Sequence, residues 1–126
     1  MFDLNYNSDT PLYMQIVEQT KSLLAAGILK EGDKFPSVRE LAKILTINQT
    51  TVSKAFKELD RVGLIETRPG VGTFIKIDKG KIVNDKGKFE KNLIEDFKQA
   101  IFLGYSKDEL CDLFSRSERM IDENKG

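Results

Sequence analysis

Between Ser37 and Ile77 the hydrophobic pattern runs in a fixed order: helical, helical again, then strand-like. Ser37-Val38-Arg39-Glu40 has the Ser-x-x-Glu form in which cap and third-residue side chains satisfy each other's free amides. It opens a short helix burying Val38, Leu41, Ala42 and Leu45. Thr46-Ile47 connects this helix to a second one, INQTTVSKAFKEL, for which Asn48 is the expected cap. Gly63 stands where a helix ends in the left-handed conformation. Leu64 to Arg68 and Thr73 to Ile77 then read as strands, with Pro69-Gly70-Val71-Gly72 as the turn between them.

The second helix has an unusual start. Helix N-termini carry partial positive charge and favour acidic side chains. Here the first turn holds Asn48, Gln49, Thr50, Thr51 and Ser53, none of them acidic. At helical spacing Val52, Ala55, Phe56 and Leu59 share one side. The opposite side carries Thr50, Lys54, Lys57 and Arg61, flanked by Ser53, and again no carboxylate. On a lone helix this would be an ordinary solvated face. Behind a capped helix and ahead of a hairpin, it is the second helix of a helix-turn-helix with a β-wing, the element such motifs lay in the DNA major groove. Phosphates are drawn to free amides and a positive dipole, and base edges pair with short neutral donors and acceptors. An acidic first turn would repel both.

Charge distribution agrees. The whole chain is neutral. From Lys34 to Lys76, however, eight basic residues face four acidic ones, a local excess of four. In the turn, glycines permit a tight hairpin and let backbone approach a groove, and Arg68 suits a narrow, negative minor groove.

The flanks are also legible. Thr10-Pro11 reads as a helix start with Thr10 as cap, and Leu12, Ile16, Leu23 and Leu24 follow at helical spacing up to Gly27. Residues 79–87, polar and glycine-containing, read as a linker. Phe89, Leu93, Phe97, Ala100 and Ile101 form a fourth helical stripe ended by Gly104. Ser106 and Glu109 repeat the capping box, and Leu110, Leu113, Phe114 and Ile121 form a fifth stripe. The expected architecture is mostly α with a small β-hairpin wing: a winged helix-turn-helix over 1–78, a linker over 79–87, and a two-helix dimerisation and effector element over 88–126.

Other classes fit poorly. The chain has no histidine, the commonest acid, base and metal ligand. No phosphate-binding glycine loop precedes a helix, so no catalytic residue, metal or cofactor is expected. Its one cysteine, Cys111, excludes an internal disulfide and is expected to pack in a core. No apolar run is long enough for a membrane span, and MFDLNYNSD has no leader-like pattern, so the cytoplasm is the expected compartment. The serious competitor is a winged helix used only for protein–protein interaction. Such a module should interrupt the basic stripe with carboxylates.

In order, PLYMQI (Pro11 to Ile16), GDKFPSVRELA (Gly32 to Ala42), INQTTVSKAFKELDRVGLI (Ile47 to Ile65) and TRPGVGTF (Thr67 to Phe74) resemble the GntR family of bacterial transcription regulators. The short tail resembles the YtrA-type subfamily. The resemblance implies a dimeric regulator, chiefly a repressor, on a pseudo-palindromic operator, released by a small-molecule effector. It implies DNA contact by Arg39 of the PSVRELA segment, by Gln49, Thr50, Ser53 and Lys54 of the second helix, and by Arg68, Gly70, Gly72 and Thr73 of the wing. Ser37 and Thr51 join this expected DNA-facing set as neighbours in the same two helix starts, and Lys57 joins it from the helical wheel. An arginine at position 39 could instead serve a surface ion pair, but such pairs contribute little. The expected dimer seam is Phe89, Leu93, Phe97, Ile101, Leu110, Phe114 and Ile121, because so small a helical pair cannot bury them alone.

Overall fold

The computed structural model describes residues 2–123. The elements run α1 (Leu12–Ala25), β1 (Lys34–Phe35), α2 (Val38–Leu45), α3 (Gln49–Arg61), β2 (Ile65–Arg68), β3 (Gly72–Ile75), α4 (Lys79–Phe102) and α5 (Lys107–Glu123). The expected five helices and hairpin are present. Strand β1 is an addition: two residues carry no period to read. It completes an antiparallel sheet in the order β1-β3-β2, with Phe35 opposite Thr73 and Thr67 opposite Thr73 on the other side.

The core forms where α1, α2, α3 and the sheet meet. Ile16, Val17, Leu41, Val52, Leu59 and Ile75 are buried there. Phe35 sits among them, its ring 5.5 Å from Phe56 and edge-on to Phe2 at 6.4 Å. Phe35, the last residue of β1, thus anchors the sheet to α3.

Helix α1 starts one residue later than expected. Pro11, not Thr10, is the cap residue, with extended backbone at φ −56° and ψ 148°. Its carbonyl accepts from the Met14 and Gln15 amides at 3.0 Å. The Thr10 carbonyl accepts instead from the buried Gln15 side chain at 2.8 Å. That same amide group exchanges two 2.8 Å bonds with the Asn5 backbone, and Gln19 does likewise with Asp3. The first residues are therefore pinned to α1 by glutamine side chains.

The segment 79–87 is a further correction to expectation. It is helical, continuous with the apolar stripe that follows. Asp78 caps it through the Gly80 and Lys81 amides, and Ile82 packs against the core. A single apolar residue at the right phase recruits a polar stretch into a helix. The Ser106–Glu109 box is reciprocal, at 3.0 and 3.1 Å. No described residue of α4 or α5 is buried, although α5 approaches α1. Cys111 is exposed, contrary to the expected core position. It lines an open cleft of about 700 Å³ between α4 and α5, with Phe97, Ile101, Leu110 and Phe114.

Candidate nucleic-acid interface

The turn between α2 and α3 sets the site's shape. Thr46 ends α2 with φ 56° and ψ 48°, the left-handed region. Among the described residues it is the one non-glycine with positive φ. The Ile47 amide then bonds the Ala42 carbonyl at 3.0 Å, and Asn48 begins the next helix. Its side chain accepts from the Thr50 amide at 2.6 Å. The cap therefore satisfies the helix start without a carboxylate.

Gln49 and Thr50 are exposed; Thr51 and Ser53 are half-buried. Among the described residues none of these four side chains makes a hydrogen bond, so their donors and acceptors are uncommitted. Lys57 is exposed and unpaired in the same sense. Lys54 sits with its ammonium 4.2 Å from the ring centroid of Tyr13 on α1. Tyr13 was not legible as part of the site, because the partnership crosses from one helix to another. Ser37 is spent as the α2 cap, its Oγ accepting from the Glu40 amide at 3.1 Å. Arg39, one position into that helix, is exposed and makes no ion pair among the described residues.

Arg61 does not continue the outward stripe. It grips Glu58 through two bonds of 2.9 and 2.6 Å and reaches Asp85 at 3.6 Å. The Arg61 hydrogen bond holds the Glu58 carboxyl below its ordinary range, and Glu58 in turn raises Arg61. The two groups are committed to each other, and Arg61 also to α4.

In the wing, Arg68 lies with its guanidinium carbon 4.7 Å from the Phe74 ring centroid and pairs with Glu66 at 3.5 Å. Gly70 and Gly72 have φ of 75° and 140°, so the tip needs glycine at both. Val71 projects between them, exposed. Thr73 is a correction: it is 5% exposed, its hydroxyl 3.4 Å from Thr67. Paired on both edges within the central strand, its side chain supports the wing and does not face a groove. Lys34, missed in the sequence, stands beside this tip, its Cε 3.3 Å from where a Cβ on Gly72 would lie. Only the two-residue strand β1 brings it there.

An exposed, acid-free helix start, an unpaired arginine on the preceding helix and a glycine-tipped wing define a winged helix-turn-helix. The chain matches the profile of "Bacterial regulatory proteins, gntR family" over residues 12–75, and it belongs to that family. The HTH-type transcriptional repressor YtrA of Bacillus subtilis is 48% identical over 101 residues, covering 80% of this chain and 76% of that protein. A transcriptional antiterminator structure from Listeria monocytogenes EGD-e superposes with a TM-score of 0.79 at 33% identity, over 97% of this chain and 92% of that one. A third similarity is to the AraR DNA-binding domain solved with operator ORE1: TM-score 0.50, 28% identity, over 60% of this chain and 92% of that one. The protein is thus a GntR-family, YtrA-like transcriptional regulator.

Proposed function

We propose that this regulator is a repressor that binds a pseudo-palindromic operator as a homodimer, with α3 in the major groove and the wing along the backbone or minor groove. One observation carries the reading: the first turn of α3 presents Gln49, Thr50 and Ser53 with no internal partner, over a capped and acid-free N-terminus. Polar groups so placed have their hydrogen bonds available for base edges and phosphates. The similarity to an AraR domain solved with its operator supports the same use of the fold. A solely protein-binding winged helix would gain nothing from leaving these groups and Arg39 uncommitted.

In this reading residues 1–78 read DNA and 88–126 assemble the dimer. Phe89, Phe97, Ile101 and Phe114 are exposed, the last two at 68% and 66%. Leu93, Leu110 and Ile121 complete the same tail surface. The partner's tail is the occupant that fits the α4–α5 cleft, and an effector would act by shifting that packing. The role is non-enzymatic and the compartment cytoplasmic; no described helix is long and apolar enough to cross a membrane.

The test is selection from a random duplex pool with the full chain, followed by a salt titration on the recovered sequence and on unrelated DNA. Recovery of an inverted repeat, bound more tightly than unrelated DNA and ever more weakly as salt rises, is the expected result. Failure to enrich any sequence would refute sequence-specific reading.

A further inference from the structure

The start of α4 is seated against the end of the recognition helix. Helix α3 closes with the Leu64 amide on the Leu59 carbonyl at 2.9 Å and the Gly63 amide on Asp60 at 3.1 Å. Gly63 has φ +81°, and a Cβ there would stand 2.9 Å from the Asp78 carbonyl oxygen and 2.9 Å from the Lys81 Cβ. The Asp78 amide bonds the Gly63 carbonyl at 2.8 Å. Lys81 Nζ donates to the Asp60 carbonyl at 3.1 Å, and Asp85 reaches Arg61 at 3.6 Å. Surface pairs like these are individually weak. The glycine seat and the packing of Ile82 on the core give the junction its rigidity.

The phase of the helix extends this seat to the tail. At about 100° per residue, Ile82, Phe89 and Leu93 fall within an arc of roughly 40°, with Phe97 following about 40° on. The face that docks on the reading head is therefore the face that carries the exposed apolar stripe. Because 79–102 is one uninterrupted helix, no free pivot separates the two functions.

We propose that α4 is a phase-setting ruler: Lys81 and Ile82 fix its azimuth on the recognition helix, and the helix register fixes the angle between the reading head and the dimer seam. Lys81 and Ile82 are then positioning residues for operator half-site spacing. The proposal rests on the DNA-reading dimer argued above and deepens it.

The ruler predicts a dependence on helical phase that a flexible tether lacks. Alanines are inserted after Gly87, where a side chain meets nothing within 4 Å, in the otherwise full chain. Two residues turn the stripe by about 200°; seven turn it by about −20° and lengthen the helix by about 10 Å. Each protein is titrated on the selected operator with half-site spacing varied one base pair at a time, and on a single half-site. Folding is followed by circular dichroism and dimerisation by sedimentation. The unaltered chain should prefer one spacing by roughly tenfold or more, as expected when the second half-site binds intramolecularly. The two-residue insertion should drop every full site to within about threefold of a half-site, while the seven-residue insertion should regain one sharp, shifted optimum. A smooth loss with length, indifferent to phase, would overturn the ruler while leaving DNA reading intact. Failure of the unaltered chain to select any duplex would instead overturn the reading itself, and the ruler with it. Should the two-residue insertion not fold, Lys81→Ala with Ile82→Ser decides. It should keep half-site affinity and dimerisation but lose the spacing preference, and an unchanged preference overturns the proposal.

Discussion

The Arg68 guanidinium lies over the Phe74 ring, 4.7 Å from its centroid, and also reaches the Glu66 carboxylate at 3.5 Å. The wing's basic group is thus restrained by its own strand neighbours before any DNA arrives. Glu66 also lies 3.7 Å from Lys76, so one carboxylate restrains two cations.

A first prediction comes from that sharing. Arg68→Ala should weaken DNA binding. Glu66→Gln should strengthen it, by roughly threefold or more at physiological salt, because it removes a negative charge beside the phosphates and frees both cations. The gain should be similar on operator and unrelated duplex. Fluorescence anisotropy on both DNAs checks this, and a weaker Glu66→Gln complex would mean that the carboxylate's main role is to orient Arg68.

Gln49 and Arg39 should separate two kinds of contact. Gln49→Ala should cost roughly 1–3 kcal/mol on the operator and little on random DNA, as for a lost base contact. Arg39→Ala should weaken both DNAs alike and reduce the slope of log affinity against log salt by about one. Both residues are exposed, so melting temperature should hardly change. An equal loss on both DNAs for Gln49→Ala would remove it from the base-reading set.

Thr46 concerns stability. A left-handed conformation costs an L-residue roughly 1–2 kcal/mol, and β-branching makes it a sharper outlier. Glycine relieves that strain but gives back about 0.5–1 kcal/mol of chain entropy. Thr46→Gly should therefore raise the melting temperature modestly, by roughly 2–6 °C for a domain of this size. A lower melting temperature would show that the Thr46 side chain makes contacts worth more than its strain.

The recognition helix, its Asn48 cap, the Ser37 cap and the Gly63 stop were legible because each is a local rule acting within one turn. Thr73 misled because position in the wing does not reveal which strand is central, and β1 was too short to announce that β3 has partners on both edges. Arg61 misled because a wheel of outward positions does not show that Glu58, three residues back, holds it through two hydrogen bonds, and its further contact to Asp85 lies on a helix that looked like a linker. Polarity hid that helix, since a single Ile82 docking on the core outweighs the linker-like composition around it.

The last prediction concerns assembly, and that helix changes how it should be tested. Ending the chain at Asp78 would remove the whole α4 seat from the winged domain and mix a lost seat with lost pairing. Ending it after Lys86 keeps the seat and removes Phe89, Leu93, Phe97, Ile101 and all of α5. Those side chains are exposed in the single chain, and so large an apolar surface belongs against a partner. A two-fold pair of tails would hold the recognition helices about one DNA turn apart, roughly 34 Å. The second half-site then binds at high effective concentration, raising overall affinity by about 10²–10⁴. The shortened chain should remain folded, sediment as a monomer and bind the full operator barely better than one half-site. Phe97→Asp with Phe114→Asp in the full chain should do the same, since two carboxylates in an apolar seam lose hydration without gaining partners. If either variant stayed a dimer with full operator affinity, the tail would not be the assembly element, and the winged domains would have to pair through their own surfaces.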